Sequence, residues 1–171
     1  EKIYGESGPV RRKERSKLAV AGIIAEYNPF HRGHAWQIAA LRGRFADVPI
    51  DAVYSSDLFR TKTTAGAIYL SHGLELHTLP ELREIGVGEW EDRTWGELER
   101  TDAVRLIRFN HSAPDFQVRG GETFAQVQRR MKQAVLSLSA AHPGQTISLF
   151  SHGTAIRCLQ GAVRGLGPGE M

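Results

Sequence analysis

The stretch that decides the fold is Thr146–Arg157, which reads TISLFSHGTAIR. Its first part, Thr146–Phe150, is typical of a buried strand, and Ser151-His152-Gly153 forms a tight turn before a helical segment, Thr154–Val163. A strand that leads directly into a helix is the unit of a parallel sheet, because neighbouring parallel strands need a crossover connection. We therefore expect the turn to lie beyond the carboxyl end of a strand, where open α/β sheets bind their ligands.

Strand and helix patterns alternate along the rest of the chain as well. The predicted strands are Leu18–Glu26, Ile50–Ser55 and Leu74–Leu79. The predicted helices are Ala35–Phe45, Asp57–Leu70 capped by Ser56 or Asp57, Trp95–Phe109 and Thr123–Ala141. This alternation predicts an α/β fold, a three-layer sandwich whose mainly parallel sheet carries helices on both faces. A length of 171 residues suits a single domain over residues 1–171.

Composition and charge argue against several classes of protein. No apolar run approaches the roughly 20 residues that a membrane helix requires. The single cysteine, Cys158, excludes an internal disulfide and a cysteine-rich zinc site, which agrees with a cytoplasmic location. The basic cluster within Arg11–Ser16 has no interleaved aromatic residues to stack bases, so we interpret it as a solvated arm rather than a nucleic-acid patch. We expect neither a membrane nor a nucleic acid as partner, and the sequence leaves the oligomeric state open.

Two residues that follow predicted strands have the chemistry of a phosphate site. His152 begins the last helix, where the helix dipole favours an anion and an imidazole can donate a hydrogen bond. Arg60 lies in the first turns of the helix after Ser55, and its guanidinium can clamp two phosphate oxygens. Each residue alone is weak evidence, because a lone histidine is more often a turn or core residue and a helical arginine is usually a surface charge.

Four segments in this order resemble the histidine phosphatase, or phosphoglycerate mutase-like, family over about residues 37–171. Asp51–Thr61 resembles the family's second arginine motif, and Leu82–Glu91 resembles the segment with its general-acid glutamate. Gly120–Phe124 is similar to its Gly-Gly-Glu-Ser/Thr segment, and Phe150–Arg157 to its second histidine motif.

The resemblance implies a phosphoglycerate mutase-like fold and a role for each matching residue. His152 would contact the transferred phosphoryl group, Arg60 would bind its oxygens, and Glu84 would protonate the leaving alcohol. The expected partner is a small phosphorylated substrate or inorganic phosphate. We expect no metal and no other cofactor, because arginine and histidine supply the positive charge. Family members usually continue beyond the second histidine helix with a further strand, so we expect a domain truncated at its C-terminus.

The N-terminal part, residues 1–36, departs from the family pattern. No Arg-His-Gly, the segment that carries the family's nucleophilic histidine, occurs in the 171 residues. Residues 17–38 instead resemble the start of the bacterial tRNA(Met) cytidine acetate ligases, of the HxGH nucleotidyltransferase superfamily. In that family, the residues at His31 and His34 would contact ATP phosphates, and here both are speculative phosphate contacts. We interpret the chain as a junction of two sequences near His34–Ile38, and a natural fusion, a sequence-assembly error and a deliberate chimera all stay open.

Three functions follow, in order of preference. The first is a phosphatase of small phosphorylated metabolites, whose turnover the missing nucleophile motif puts in doubt. A mutase is a weaker alternative within the same chemistry. The second function is a catalytically inactive module that binds phosphate or a partner protein. The third is an ATP-dependent nucleotidyltransferase or a tRNA-modifying protein. The sequence does not identify the substrate.

Overall fold

The computed structural model of the chain describes residues 22–24, 39–40, 43 and 48–171. Its strands are β1 (Gly22–Ile24), β2 (Ala52–Ser55), β3 (Leu76–Thr78) and β4 (Ile147–Ser151). Its helices are α1 (Phe59–Tyr69), α2 (Trp95–Thr101), α3 (Ala103–Asn110), α4 (Phe124–Ala141) and α5 (Gly153–Arg164). Two short 3₁₀ turns, Pro80–Leu82 and Gly88–Trp90, lie between β3 and α2. Residues 39–40 and 43 are helical, and the rest of the helix predicted at Ala35–Phe45 lies outside the described residues.

The four strands form one sheet in the order β1-β4-β2-β3, and every neighbouring pair is parallel. Ile24 pairs with Ser151, and Ser55 pairs with Phe150, so three strands end at almost the same level. The parallel sheet predicted from the alternating pattern is therefore confirmed. Its carboxyl edge gathers the segments that follow β2 and β4, and this edge is where the candidate site lies.

Alternate residues of the central strands pack against helices on opposite faces of the sheet. Val53 and Phe150 form one buried cluster with Ala65 and Ile68 of α1. On the other face, the buried cluster of β2 and β4 with α4 contains Ala52, Val135, Leu138, Ile147 and Leu149. On each face of the sheet, alternate strand residues thus pack against the apolar side of a helix. The three-layer arrangement is confirmed.

Helix α4 follows its sequence prediction closely. Thr123 caps it by accepting a hydrogen bond from the backbone N–H of Gln126, whose side chain accepts one from the N–H of Thr123 in return. This reciprocal capping box satisfies two N–H groups that would otherwise lack partners. The five apolar residues that share one helical face are all buried, namely Phe124, Val127, Met131, Val135 and Leu138.

Two details of the predicted helices are wrong. The single helix Trp95–Phe109 is two helices, because Asp102 leaves the helical conformation and its carboxylate accepts hydrogen bonds from the Trp90 indole and from Arg105. Helix α1 has Leu58 as its N-cap residue and no side-chain cap. The predicted caps are engaged elsewhere, since Ser56 bonds His152 and Asp57 pairs with Arg83. In the part of the chain that the structure describes, no helix has the length and apolar character needed to cross a membrane.

Candidate active site

His152 lies at the carboxyl edge of the sheet, as the residue between β4 and α5. It is the N-cap residue of α5 and its side chain is fully buried. Ile24, the last residue of β1, pairs with Ser151, the residue directly before His152. His31 and His34, the speculative phosphate contacts, lie outside the described residues.

A hydrogen-bond chain fixes the His152 imidazole. Arg60 Nε donates to His152 Nδ1 at 3.2 Å, so Nδ1 acts as an acceptor and the ring proton is assigned to Nε2. Nε2 lies 2.7 Å from Ser56 Oγ, which lies 2.7 Å from Thr61 Oγ1. Thr61 in turn donates to the backbone oxygen of Leu58 at 2.8 Å. Both ring nitrogens are therefore occupied, and the imidazole has one defined orientation.

The environment of His152 favours its neutral form. Burial removes the water that would solvate an imidazolium, and the nearby positive charge of Arg60 acts in the same direction. Together these causes lower the pKa of His152 to about 4. At neutral pH the ring is therefore an uncharged hydrogen-bonding group, which can donate through one nitrogen and accept through the other.

Glu84 reaches the same helix end from the loop after β3. Its carboxylate accepts hydrogen bonds from the backbone N–H groups of Thr154 at 3.0 Å and Ala155 at 2.9 Å, which belong to the first turn of α5. It also accepts from the N–H of Ile85 at 2.9 Å. A helix N-terminus favours a negative group because its first N–H groups lack partners within the helix. The Glu84 carboxylate is thereby held at the first turn of the helix that follows His152.

Arg130 and Glu122 hold the Glu84 segment against α4, and we call this pair the clamp. Arg130 pairs with Glu122 through two parallel hydrogen bonds, from Nε at 2.7 Å and from Nη2 at 2.8 Å. The remaining Arg130 hydrogens bond backbone oxygens of Glu81, Arg83 and Glu84 at 2.8–3.0 Å. Glu122 Oε2 also accepts from the N–H of Gly86 at 2.9 Å. One guanidinium therefore fixes the backbone on both sides of Glu84.

A hollow of about 1000 Å³ opens at this edge of the sheet. Arg60 and Glu84 both line it, together with Thr154 and Arg157 of α5. His152 is not part of the lining, because the Arg60 side chain lies against its Nδ1. The structure thus brings Arg60 and Glu84 to one hollow and places His152 directly behind Arg60.

The positive charges around the hollow differ in how they are neutralised. Arg83 forms an ion pair with Asp57, and this hydrogen-bonded pairing lowers the pKa of the Asp57 carboxyl. Arg60 and Arg157 make no salt bridge with any carboxylate of the described ranges. A site with unpaired guanidinium groups and a neutral imidazole is suited to an anion, above all to a phosphate group.

Comparison with known proteins fits this geometry. Residues 31–171 match the family described as the histidine phosphatase superfamily, branch 1. The chain belongs to this family. Within that match lie Arg60, Glu84 and His152, the three residues that the sequence resemblance singled out.

Curated relatives of this chain are named as probable phosphoglycerate mutases. The protein named probable phosphoglycerate mutase GpmB from Escherichia fergusonii is 30% identical over 132 residues, which is 77% of this chain and 60% of that protein. The protein of the same name from Yersinia enterocolitica is 33% identical over 119 residues, covering 70% of this chain and 55% of its own length. The chain therefore spans a little over half of the length of these relatives.

Solved structures agree on the fold. Bacillus stearothermophilus YhfR superposes with a TM-score of 0.74 at 27% identity, covering 77% of this chain and 65% of that one. The α-ribazole phosphatase from Shigella flexneri gives 0.70 at 26% identity and covers 90% and 74%. A mycobacterial glucosyl-3-phosphoglycerate phosphatase, in a structure described as a complex with VO3, gives 0.70 at 25% identity and covers 84% and 71%. The phosphoglycerate mutase-like architecture predicted for this chain is confirmed.

Sequence reasoning missed several residues around the candidate site. Ser56 and Thr61 lie near Arg60 in its motif, so their proximity was available as a signal, although the bonds from Thr61 to Ser56 and from Ser56 to His152 were not. Glu122 was recognised as part of a motif but received no role. For Arg130 there was no signal, because its partners lie up to 49 residues away along the chain.

Proposed function

We propose that this domain binds the phosphate group of a small phosphorylated metabolite and acts on it as a phosphomonoesterase with weak turnover. The observation that supports this most directly is the hydrogen bond from Arg60 to His152 at the hollow that Glu84 also lines. Guanidinium, imidazole and carboxyl groups at one edge of a parallel sheet are the set that phosphoryl transfer needs.

Each of the three residues has a proposed role. The Arg60 Nη groups would bind phosphate oxygens by two parallel hydrogen bonds. His152, neutral at physiological pH, would donate to a phosphoryl oxygen once Arg60 moves from Nδ1 and the ring proton shifts from Nε2 to Nδ1, with the Ser56 hydroxyl then donating to Nε2. Glu84 would give a proton to the leaving oxygen as the phosphorus–oxygen bond breaks, and the water that adds to phosphorus would return a proton to the Glu84 carboxylate.

The N-terminal segment supplies the remaining element of the proposal. We infer that residues 1–171 act as one cytoplasmic domain in which β1 takes the place of the family's first strand, since β1 lies beside β4 and its last residue, Ile24, pairs with Ser151. The atypical residues 1–36 contain no Arg-His-Gly, which is why we expect weak turnover. His31 and His34 of the ligase-like segment remain speculative phosphate contacts.

A catalytically inactive phosphate-binding module is the second candidate. The supporting observation is that both ring nitrogens of His152 already have partners, Arg60 and Ser56. In this arrangement a phosphate would meet the outer nitrogens of Arg60 and not the imidazole. The module would bind phosphate without turning over a phosphomonoester. The nucleotidyl-transfer alternative would require that ATP binding depends on His31 and His34.

Hydrolysis of p-nitrophenyl phosphate by purified wild-type protein and by the His152→Ala variant tests the proposal. We expect slow release of p-nitrophenol by the wild type and none by the variant, because the variant loses the group behind Arg60. The matched control is His111→Ala, which replaces an exposed histidine that does not line the hollow and should leave the rate unchanged.

Calorimetric titration with inorganic phosphate separates the candidates. Phosphate binding without turnover would favour the inactive module. If the protein neither binds phosphate nor hydrolyses p-nitrophenyl phosphate, a phosphate site at this edge of the sheet is contradicted. Fast turnover that His152→Ala abolishes would show that another group of the chain replaces the missing nucleophile.

A further inference from the structure

Two buried hydroxyl groups contact the His152 nitrogen that Arg60 does not reach. Ser56 Oγ lies 2.7 Å from His152 Nε2 and 2.7 Å from Thr61 Oγ1, and all three side chains are buried. Neither Ser56 nor Thr61 lines the hollow. These hydroxyl groups can therefore act on a ligand in the hollow only through the imidazole.

A hydroxyl group can serve either neutral form of the His152 ring, because it both donates and accepts hydrogen bonds. With the ring proton on Nε2, Ser56 accepts from the ring and donates to Thr61, which donates to the Leu58 oxygen at 2.8 Å. With the ring proton on Nδ1, the Ser56 hydroxyl hydrogen turns to Nε2, and Thr61 can donate to Ser56. Each hydroxyl hydrogen thus has an acceptor in both forms.

The two forms of the ring differ in what Nδ1 can bind. In the Nε2–H form, Nδ1 accepts from Arg60 Nε at 3.2 Å. In the Nδ1–H form, two donors would face each other, so Arg60 leaves the ring and an anionic oxygen can take its place. The ring stays neutral during this change, because Nε2 gives a proton to water and Nδ1 takes one from water. The direction of the bond between Ser56 and Thr61 is therefore coupled to the occupant of Nδ1.

Thr61 favours the form in which Arg60 stays on the ring. Ser56 Oγ has two possible acceptors for its hydrogen among the described side chains, Thr61 Oγ1 and His152 Nε2, and the N–H of Leu58 is a donor to it at 3.3 Å. Without the Thr61 hydroxyl, the buried Ser56 hydrogen would lack an acceptor unless it turned to Nε2, and an unpaired buried donor is costly. Thr61 thus stabilises the Nε2–H form.

We propose that Ser56 and Thr61 form a hydroxyl switch that sets the tautomer of His152, and that phosphate binding at Nδ1 reverses the switch and releases Arg60. The proposal rests on the proposed function, because a phosphate oxygen is taken to replace Arg60 at the ring. Ser56 and Thr61 are positioning residues, since they act on the phosphate only through His152.

Nitrogen-15 NMR of the full chain, labelled in its histidine side chains, measures the tautomer directly, because protonated and unprotonated ring nitrogens resonate far apart. The signals of His152 are those that His152→Gln lacks. At neutral pH, we expect the Nε2–H form in the phosphate-free wild type and the Nδ1–H form once inorganic phosphate saturates the protein. An Nε2–H ring in the phosphate-bound protein contradicts the switch, and this measurement requires only that the wild type folds.

Thr61→Val removes the second acceptor of the Ser56 hydrogen and keeps the branched shape of the side chain. We expect the ratio of the Nδ1–H form to the Nε2–H form to rise about tenfold in the phosphate-free protein, because one buried donor otherwise stays unpaired. Phosphate should bind this variant up to about tenfold more tightly, since the form that binds phosphate is populated in advance. Thr61→Ser keeps the hydroxyl and should behave like the wild type.

The matched control is Thr64→Val, the same substitution at another buried threonine of α1. The Thr64 hydroxyl donates to the backbone oxygen four residues earlier, at 3.0 Å, and makes no contact with the imidazole. Thr64→Val should therefore leave the tautomer ratio of His152 unchanged.

The double variant Ser56→Ala/Thr61→Val shows whether the effect of Thr61 passes through Ser56. In the Ser56→Ala background, Thr61→Val should change the tautomer ratio by less than about twofold, because the hydroxyl that connects Thr61 to the ring is gone. A full shift in that background would mean that Thr61 acts by another route, and the switch would be wrong.

Calorimetric titration with inorganic phosphate keeps the switch and the proposed function apart. If Thr61→Val leaves the tautomer ratio unchanged, or if Thr64→Val shifts it equally, the switch is wrong, while phosphate binding by the wild type still supports the phosphate site. If neither the wild type nor Thr61→Val binds phosphate, the proposed function fails. The switch then fails with it, because no ligand displaces Arg60.

Discussion

At the scale of single residues, His152 is a base that the fold keeps neutral. Its ring accepts from Arg60 and donates to Ser56, and the hydroxyl of Ser56 continues the chain to Thr61. An imidazolium would carry a proton on Nδ1 pointing at a guanidinium, and it would have no water around it. Protonation is therefore resisted both by a clash of two donors and by burial.

The pH dependence of stability should report this environment. The folded pKa of His152 is about 4 against an ordinary value of 6.5, so the unfolded chain binds more protons between these values. The contribution of neutral His152 to the free energy of unfolding is fully present above pH 6.5. About 3 kcal/mol of this stability is lost as the pH falls toward about 4.

Urea unfolding of wild type and His152→Gln across this pH range isolates the effect. The free energy of unfolding of the wild type should fall by about 3 kcal/mol more than that of the variant, because the carboxylates titrate equally in both proteins. If the unfolding free energies of the two proteins change with pH in parallel, the pKa of His152 is not lowered by folding, which contradicts the prediction.

At the scale of elements, the clamp connects α4 to the loop that presents Glu84. Arg130 and Glu122 belong to different parts of the chain from Glu84, yet they bond the backbone on each side of it. Because these hydrogen bonds hold the backbone of the loop, they position the Glu84 side chain without contacting its carboxylate. Helix α4, which has 18 residues, thus serves as the support for the candidate general acid.

Removal of the clamp should cost both stability and site geometry. We expect Arg130→Gln to reduce the free energy of unfolding by about 2 kcal/mol, because Glu122 and three backbone oxygens lose a donor. Arg130→Lys should recover only part of this, since an ammonium cannot make the paired bonds. The matched control is Arg129→Gln, at an exposed position one residue earlier on α4, which should be nearly neutral.

Phosphate titration adds a readout beyond stability for the clamp. If Glu84 is held by Arg130, the Arg130→Gln variant should also bind phosphate differently while still folded. Equal stability of Arg130→Gln and Arg129→Gln in chemical denaturation would rule out the clamp as a support.

At the scale of the whole molecule, two distant loops meet with almost no space between them. Gly88, with φ +50°, lies so near Arg119–Gly121 that an added Cβ would be 2.2 Å from the Arg119 oxygen and 2.4 Å from the Gly121 nitrogen. The backbone N–H of Glu89 donates to that same Arg119 oxygen at 3.0 Å. Glycine is required here by both the left-handed conformation and the close approach.

Gly88→Ala should therefore destabilise the protein by about 3 kcal/mol, from the clash and the left-handed strain combined. The control is Gly96→Ala in α2, where no atom lies within 4 Å of the added Cβ. That change should be neutral or stabilising by up to about 1 kcal/mol, because alanine favours a helix. Thermal or urea unfolding measures both, and similar results for the two variants would contradict the close packing of the loops.

Much of the fold and part of the site followed from local sequence. The period of α4 predicted its buried face, and the apolar run before His152 predicted β4. The motif at Phe150–Arg157 indicated the candidate site, although the burial of His152 behind Arg60 was not predicted. The break at Asp102 was not predicted either, because it depends on the Trp90 indole, which lies 12 residues earlier.

By itself the sequence determined the alternation of strands and helices, the parallel sheet and the identity of the residues at its carboxyl edge. These features depend on neighbours within a few positions, whose periodicity can be read directly. Only the tertiary structure decided that His152 is neutral, that Arg130 supports Glu84 and that Arg157 forms no salt bridge with a carboxylate of the described residues. The bonds from Ser56 to His152 and from Arg130 to Glu84 join residues 96 and 46 positions apart, and such pairings are fixed by packing of the whole chain.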